Sequence, residues 1–149
     1  MEPFVRNFIR SSLVWLGSGV VLGVWLALDP MQAMVYRPAH VHANLLGFVS
    51  MMIFGVAYHV IPRFTGNPLR SRALATVHLW VANAGLASLV TGWLVRPWQG
   101  EIGSTALAAG ALVSATGAFL FIANLWRTLA PQPQRGLAAA GLHPRTPAG

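Results

Sequence analysis

The sequence predicts an all-α integral membrane protein: an antiparallel four-helix bundle with both termini in the cytoplasm. Composition is the first observation behind it. Hydrophobic residues make up 55% of the 149 and charged residues only 9%, against about 25% in a soluble domain. Mean hydropathy is +0.58. Such a chain cannot coat a water-facing surface with charge. The second observation is the presence of four apolar runs, each long enough to cross a bilayer core of about 30 Å. The third is the placement of the arginines, which lie between the runs. Arg6, Arg10, Arg63, Arg70, Arg72, Arg127 and Arg135 fall on one side, Arg37 and Arg96 on the other. The positive-inside rule then sets the cytoplasmic side and the inner (cytoplasmic) membrane as the location.

Residues 1–10 read as a short basic, amphipathic start. The first spanning segment covers about 11–28, with Trp15 and Trp25 toward its ends, and Asp29-Pro30 closes it. A cleaved leader is the rival reading, because Arg6 and Arg10 precede an apolar run. That run is long for a leader, and no small-x-small site follows it. A fairly apolar connector leads to Arg37. The second segment covers about 38–61, with Pro38 suited to a first turn and Pro62 as its stop. The loop 63–72 is polar. The third segment covers about 73–94 and the fourth about 102–126. In the fourth, Gly103, Gly110 and Gly117 recur on one stripe, a small-residue face that predicts close helix packing and a homodimer. Residues 1–130 thus form one four-helix transmembrane domain, and 131–149 a flexible Pro/Gly/Ala-rich tail.

The arginines carry the whole net charge of +7, and there is no lysine. Because they serve topology, the basic balance does not point to nucleic acid. Cysteine is absent, which excludes disulfides, iron–sulfur clusters, thiolate ligands and covalently attached haem c. Asp29 and Glu101 lie at the outer edge and no carboxylate lies inside the apolar segments, which argues against a proton pump.

The chemistry therefore rests on histidine. Between Ala43 and Val60 only Asn44, Ser50, Tyr58 and His59 carry a polar group. An imidazole in hydrocarbon is costly unless it bonds to something. His40 and His42 fall near the outer end of the second segment. His59 falls near its inner end, and His78 lies at matching depth on the third. His59 and His78 could clamp a haem iron, share a smaller metal ion, or bond to each other. The rise from residue 42 to residue 59 is about 25 Å, room for two haems across the membrane. A sixth ligand opposite His42 would come from a two-fold partner's histidine, from Met31 or Met34, or stay open. His40 is a weaker ligand candidate that also suits the headgroup region, and His143 in the tail is no ligand. Asn44, Tyr58, Asn83 and Thr76 are candidate supporting donors. Arg37 or Arg96 on the outer side, or Arg63, Arg70 or Arg72 on the inner, could pair a propionate. Met51 and Met52 read as packing residues, and the tryptophans mostly as interface anchors.

Arg37, His40, His42, Asn44, Leu45 and Leu46, followed by Phe54, Gly55, Tyr58 and Pro62, resemble the second helix of the haem-copper oxidase catalytic subunit, most closely its nitric oxide reductase branch. The stretch ending in Tyr58, His59, Pro62 and Arg63 is similar to short oxidase-subunit-I-like membrane proteins. The resemblance implies haem b, with His42 matching the family's axial ligand to the low-spin haem. The family's second haem ligand, its binuclear-centre ligands and its active-site haem ligand have no equivalent here, so the resemblance does not extend to oxygen or nitric oxide reduction. The lead expectation is a membrane b-type cytochrome moving electrons within or across the bilayer, with a quinone or a redox protein as partner. The alternatives are a haem-based gas-binding or sensing protein and a non-catalytic small subunit of a respiratory complex.

Overall fold

A computed structural model of the chain describes residues 1–130; the expected flexible tail, His143 included, lies outside them. Among the described residues the fold is all helix. Four helices are long and apolar enough to span a membrane: α1 (Pro3–Leu28), α2 (Pro30–Thr65), α3 (Arg72–Val95) and α4 (Gly100–Leu129).

Helix α1 begins earlier than the sequence predicts. Pro3 opens it, so the basic, amphipathic start is the first part of the spanning helix itself, with Arg6 and Arg10 exposed on its outer face. Phe4, Val5 and Phe8 are all buried, because they form one stripe that meets α2 where Gly55 leaves room. A Cβ at Gly55 would stand 3.0 Å from that of Phe8. Trp15 correspondingly falls mid-helix. Gly47 on α2 receives it, since a Cβ there would lie 2.5 Å from the Cβ of Trp15. Trp15 is therefore a packing residue, not an interface anchor.

Helix α2 departs most from expectation. The connector before Arg37 is helical, so α2 starts at Pro30, with the Asp29 carboxylate accepting from the Gln32 amide at 3.4 Å. Both signals, an N-cap acid and an N1 proline, belong to Asp29-Pro30; Pro38 sits inside the helix. Pro62 does not end it either. It ends at Gly66, whose φ of 68° is the left-handed conformation that glycine adopts freely. At 36 residues, α2 is roughly 54 Å long, well beyond a bilayer core of about 30 Å. Residues Ala43–Ser50 form a π-helical segment, a rare, widened winding that is frequent at functional sites.

The helices form two closely packed pairs, α1 with α2 and α3 with α4, joined mainly through α2 and α3. The α3–α4 seam explains the glycine stripe. A Cβ at Gly103 would run into the Arg96 backbone, one at Gly110 would meet the Leu89 nitrogen at 2.5 Å, and one at Gly117 the Ala82 Cα at 3.4 Å. Partner numbers fall along α3 as they rise along α4, so these two helices run in opposite directions. The stripe is spent inside the chain, and the homodimer expected through it loses its surface.

Side-chain clasps close both ends. Asn124 holds both backbone groups of Ser71, at 3.1 and 2.8 Å, and Thr128 accepts from the Arg70 amide at 3.0 Å. These bonds satisfy loop backbone that would otherwise be buried unpaired. At the other end the Trp98 indole donates to the Tyr36 hydroxyl at 2.8 Å.

Candidate functional site

The described histidines fall into four environments. His78 is fully buried, within a cage drawn from the other three helices: Phe8 of α1, Phe54 and Tyr58 of α2, and Phe121 of α4. Ring centroids lie 4.9, 4.7, 5.8 and 5.6 Å away, respectively. Its Nδ1 shares a 3.1 Å hydrogen bond with the Tyr58 hydroxyl, and its Nε2 has no partner among the described residues.

His59 does not join it. The next residue along α2 faces another way, and Arg63, one turn on, donates to His59 Nδ1 at 3.0 Å and to the His59 carbonyl. A guanidinium has only donors, so Nδ1 is the acceptor and the ring proton sits on Nε2. That lone pair is engaged, and the expected His59/His78 clamp gives way to a Tyr58/His78 pair. Equal depth on neighbouring helices places two residues at one level but not on facing sides.

His40 latches α2 to α1. Its Nδ1–H donates to the Gly19 carbonyl at 2.8 Å, and the ring occupies a notch where a Cβ at Gly23 would approach to 2.8 Å. Asn44 sits beside it, its amide donating to the His40 carbonyl at 3.0 Å and lying 3.5 Å from His40 Nε2. Gly19 makes room for Asn44 in the same way. Asn44 and His40 are thus interhelical packing groups. Asn83 accepts from the Trp15 indole at 3.2 Å and donates to the Leu79 carbonyl at 2.8 Å, so it supports no histidine.

His42 is the exception. Its Nδ1 lies 2.7 Å from the Pro38 carbonyl. A carbonyl only accepts, so Nδ1 carries the proton and Nε2 keeps its lone pair, the tautomer a metal-ligating imidazole requires. The residue is half-buried and stands directly before the π-helical segment. Its ring centroid is 6.3 Å from that of Trp93 on α3, at 31°. The Trp93 indole N–H is buried without a partner, and the Arg96 guanidinium lies 5.6 Å over the Trp93 ring. Val35, Trp93, Arg96 and Pro97 line an open cavity of about 280 Å³. Arg37, one turn back, is exposed. Sequence reasoning treated Trp93 as one more interface residue. Its spacing of three from Arg96 was the available signal, since such residues share a helix face.

The sequence model of the family "Cytochrome C and Quinol oxidase polypeptide I" matches residues 4–144. The chain belongs to that family. Relatives of this oxidase polypeptide I member include the cbb3-type cytochrome c oxidase subunit CcoN1 of Stutzerimonas stutzeri, 32% identical over 64% of the chain and 21% of the relative. Cytochrome c oxidase subunit 1 of Rhodobacter capsulatus is 28% identical over 89% of the chain and 30% of the relative. A putative cytochrome c oxidase subunit 1-beta of Streptomyces coelicolor is 33% identical over 74% and 22%. The chain thus spans less than a third of the length of each.

Haem is the cofactor this family implies. The lone pair of His42, the unpartnered indole N–H beside it and the adjacent guanidinium fit an iron ligand with carboxylate-binding donors next to it. Among the described residues of this oxidase polypeptide I chain, no three His, Cys, Asp or Glu side chains gather as a metal site.

Proposed function

We propose that the chain is a small membrane subunit of a respiratory, oxidase-type complex that carries one b-type haem on His42 and takes part in electron transfer. The observation that supports this best is the hydrogen bond from His42 Nδ1 to the Pro38 carbonyl, which leaves Nε2 as the ligating atom. When bound, the haem supplies one-electron oxidation and reduction. The chain's residues do the rest: Pro38 fixes the tautomer, Trp93 and Arg96 offer donors to a propionate, and Arg37 lies near enough along α2 to add charge. In this reading all four helices alternate in direction, both termini are cytoplasmic, and His42 lies toward the outer side of the inner membrane. Redox partners, whether a quinone or a protein, belong to the complex. Because the described residues gather no further metal-ligand set, the reading assigns electron transfer rather than a complete oxidase reaction.

A second reading has its own support. No other described histidine offers a free lone pair near His42, so a second iron ligand would be a methionine such as Met31 or Met34, a group from outside these residues, or none at all. An open position would make the chain a nitric oxide- or oxygen-binding protein. One experiment separates the two: a reduced-minus-oxidised spectrum of purified, haem-supplied protein, repeated with carbon monoxide. Sharp six-coordinate b-type bands that ignore carbon monoxide support electron transfer. A Soret shift supports gas binding, and colourless protein sinks both.

A further inference from the structure

The largest cavity described lies at the opposite end from His42, where the start of α1, the end of α2 and the start of α3 converge. It measures about 430 Å³. Phe4, Tyr58 and Leu69 give it an apolar floor, and Arg63, Arg72 and Glu2 bring charge to it. Arg72 and Glu2 are 3.3 Å apart, and both are solvent-accessible, so they neutralise each other only loosely. Arg63 keeps further donors beyond those given to His59. Beside it Phe64 is 85% exposed, an apolar ring next to a guanidinium at the end of a spanning helix.

From this arrangement we infer that the cavity is a binding site for the headgroup of an anionic phospholipid. In the topology proposed above, its position at the end of three spanning helices puts it at headgroup level on the cytoplasmic side, where basic pockets between helices recognise such headgroups. The phosphodiester is held by Arg63 and Arg72, with Glu2 swinging away from Arg72. The apolar floor takes the glycerol backbone, and the acyl chains leave past Phe64. This site does not depend on the haem reading: it uses neither His42 nor any residue near it.

The test is native mass spectrometry of the full chain in detergent, with phosphatidylglycerol or phosphatidylcholine of identical chains. One phosphatidylglycerol per chain is expected to be retained, with a preference of roughly thirtyfold over phosphatidylcholine from the two arginines. The R63A/R72A double variant should abolish that preference, R63K/R72K should keep most of it, and R127A, a neighbouring exposed charge outside the cavity, should leave it intact. Equal retention of the two lipids overturns the proposal, as does an R127A loss matching that of R63A/R72A. Displacement of the lipid by inorganic phosphate at equal concentration also overturns it, because it shows a simple anion site. If R63A/R72A unfolds, R63K/R72K read against R63Q/R72Q decides the matter: lysines that retain the lipid where glutamines lose it uphold the site, and equal retention by both refutes it.

Discussion

His42 and His78 are both imidazoles on apolar helices, yet the protein treats them oppositely. His78 is sealed within four aromatic rings, bonded through Nδ1 and left without a partner at Nε2. His42 is half-buried, with its proton fixed by its own helix and its ring beside that of Trp93, whose indole N–H has no partner among the described residues. The contrast shows that burial alone does not mark a ligand. A cofactor needs an imidazole with an engaged N–H, a spare lone pair and space beyond it. Complete enclosure supplies packing and leaves no such space.

Exchanging alanine between the two sites gives the largest effect. His42→Ala should abolish the Soret band while the protein folds, and His78→Ala should keep haem per chain while lowering the unfolding temperature. The opposite pattern, read by pyridine haemochrome and thermal melt, would reverse the comparison. Next comes Phe8→Ala, which opens one wall of the cage. Truncating a buried phenylalanine costs about 3–5 kcal/mol, so denaturant unfolding in detergent should shift strongly with haem content unchanged. A smaller effect is expected from Tyr58→Phe, which strips His78 of its one hydrogen bond. An unmet buried polar group costs about 1–3 kcal/mol; unfolding measured against His78→Ala should be non-additive. Finest of all is Trp93→Phe, which keeps an aromatic ring, if a smaller one, and deletes the N–H. Haem should still bind, with a modest shift in midpoint potential on redox titration. An unchanged potential would remove Trp93 from the site.

Much of the architecture was legible because it rests on hydropathy and punctuation. Four spans and the polar loop after Arg63 follow from runs of apolar residues and the charges between them. The boundaries were less legible. Residues 3–10 look basic, but Phe4, Val5 and Phe8 share a stripe that only a partner such as Gly55 turns into core. Pro38 and Pro62 read as helix ends, whereas packing against α1 and α3 carries α2 through both. The π-helical segment has no sequence signature. The pairing of His59 with His78 failed because depth follows from counting, while orientation depends on how α2 is rotated about its axis. Tyr58, one residue earlier, takes the inward position. Asn124 and Thr128 lie beyond local reasoning, since their partners are loop amides more than fifty positions away.

The glycine seam between α3 and α4 also shapes what the rest of α4 can do. With Gly103, Gly110 and Gly117 turned inward, the outward side carries Leu112, Phe119, Ile122 and Trp126, all more than half exposed. A neighbour arriving in the bilayer meets a toothed ridge instead of a flat track. It must mesh its own bulky side chains with those teeth, which favours a partner of complementary relief over a twin pressed backbone to backbone.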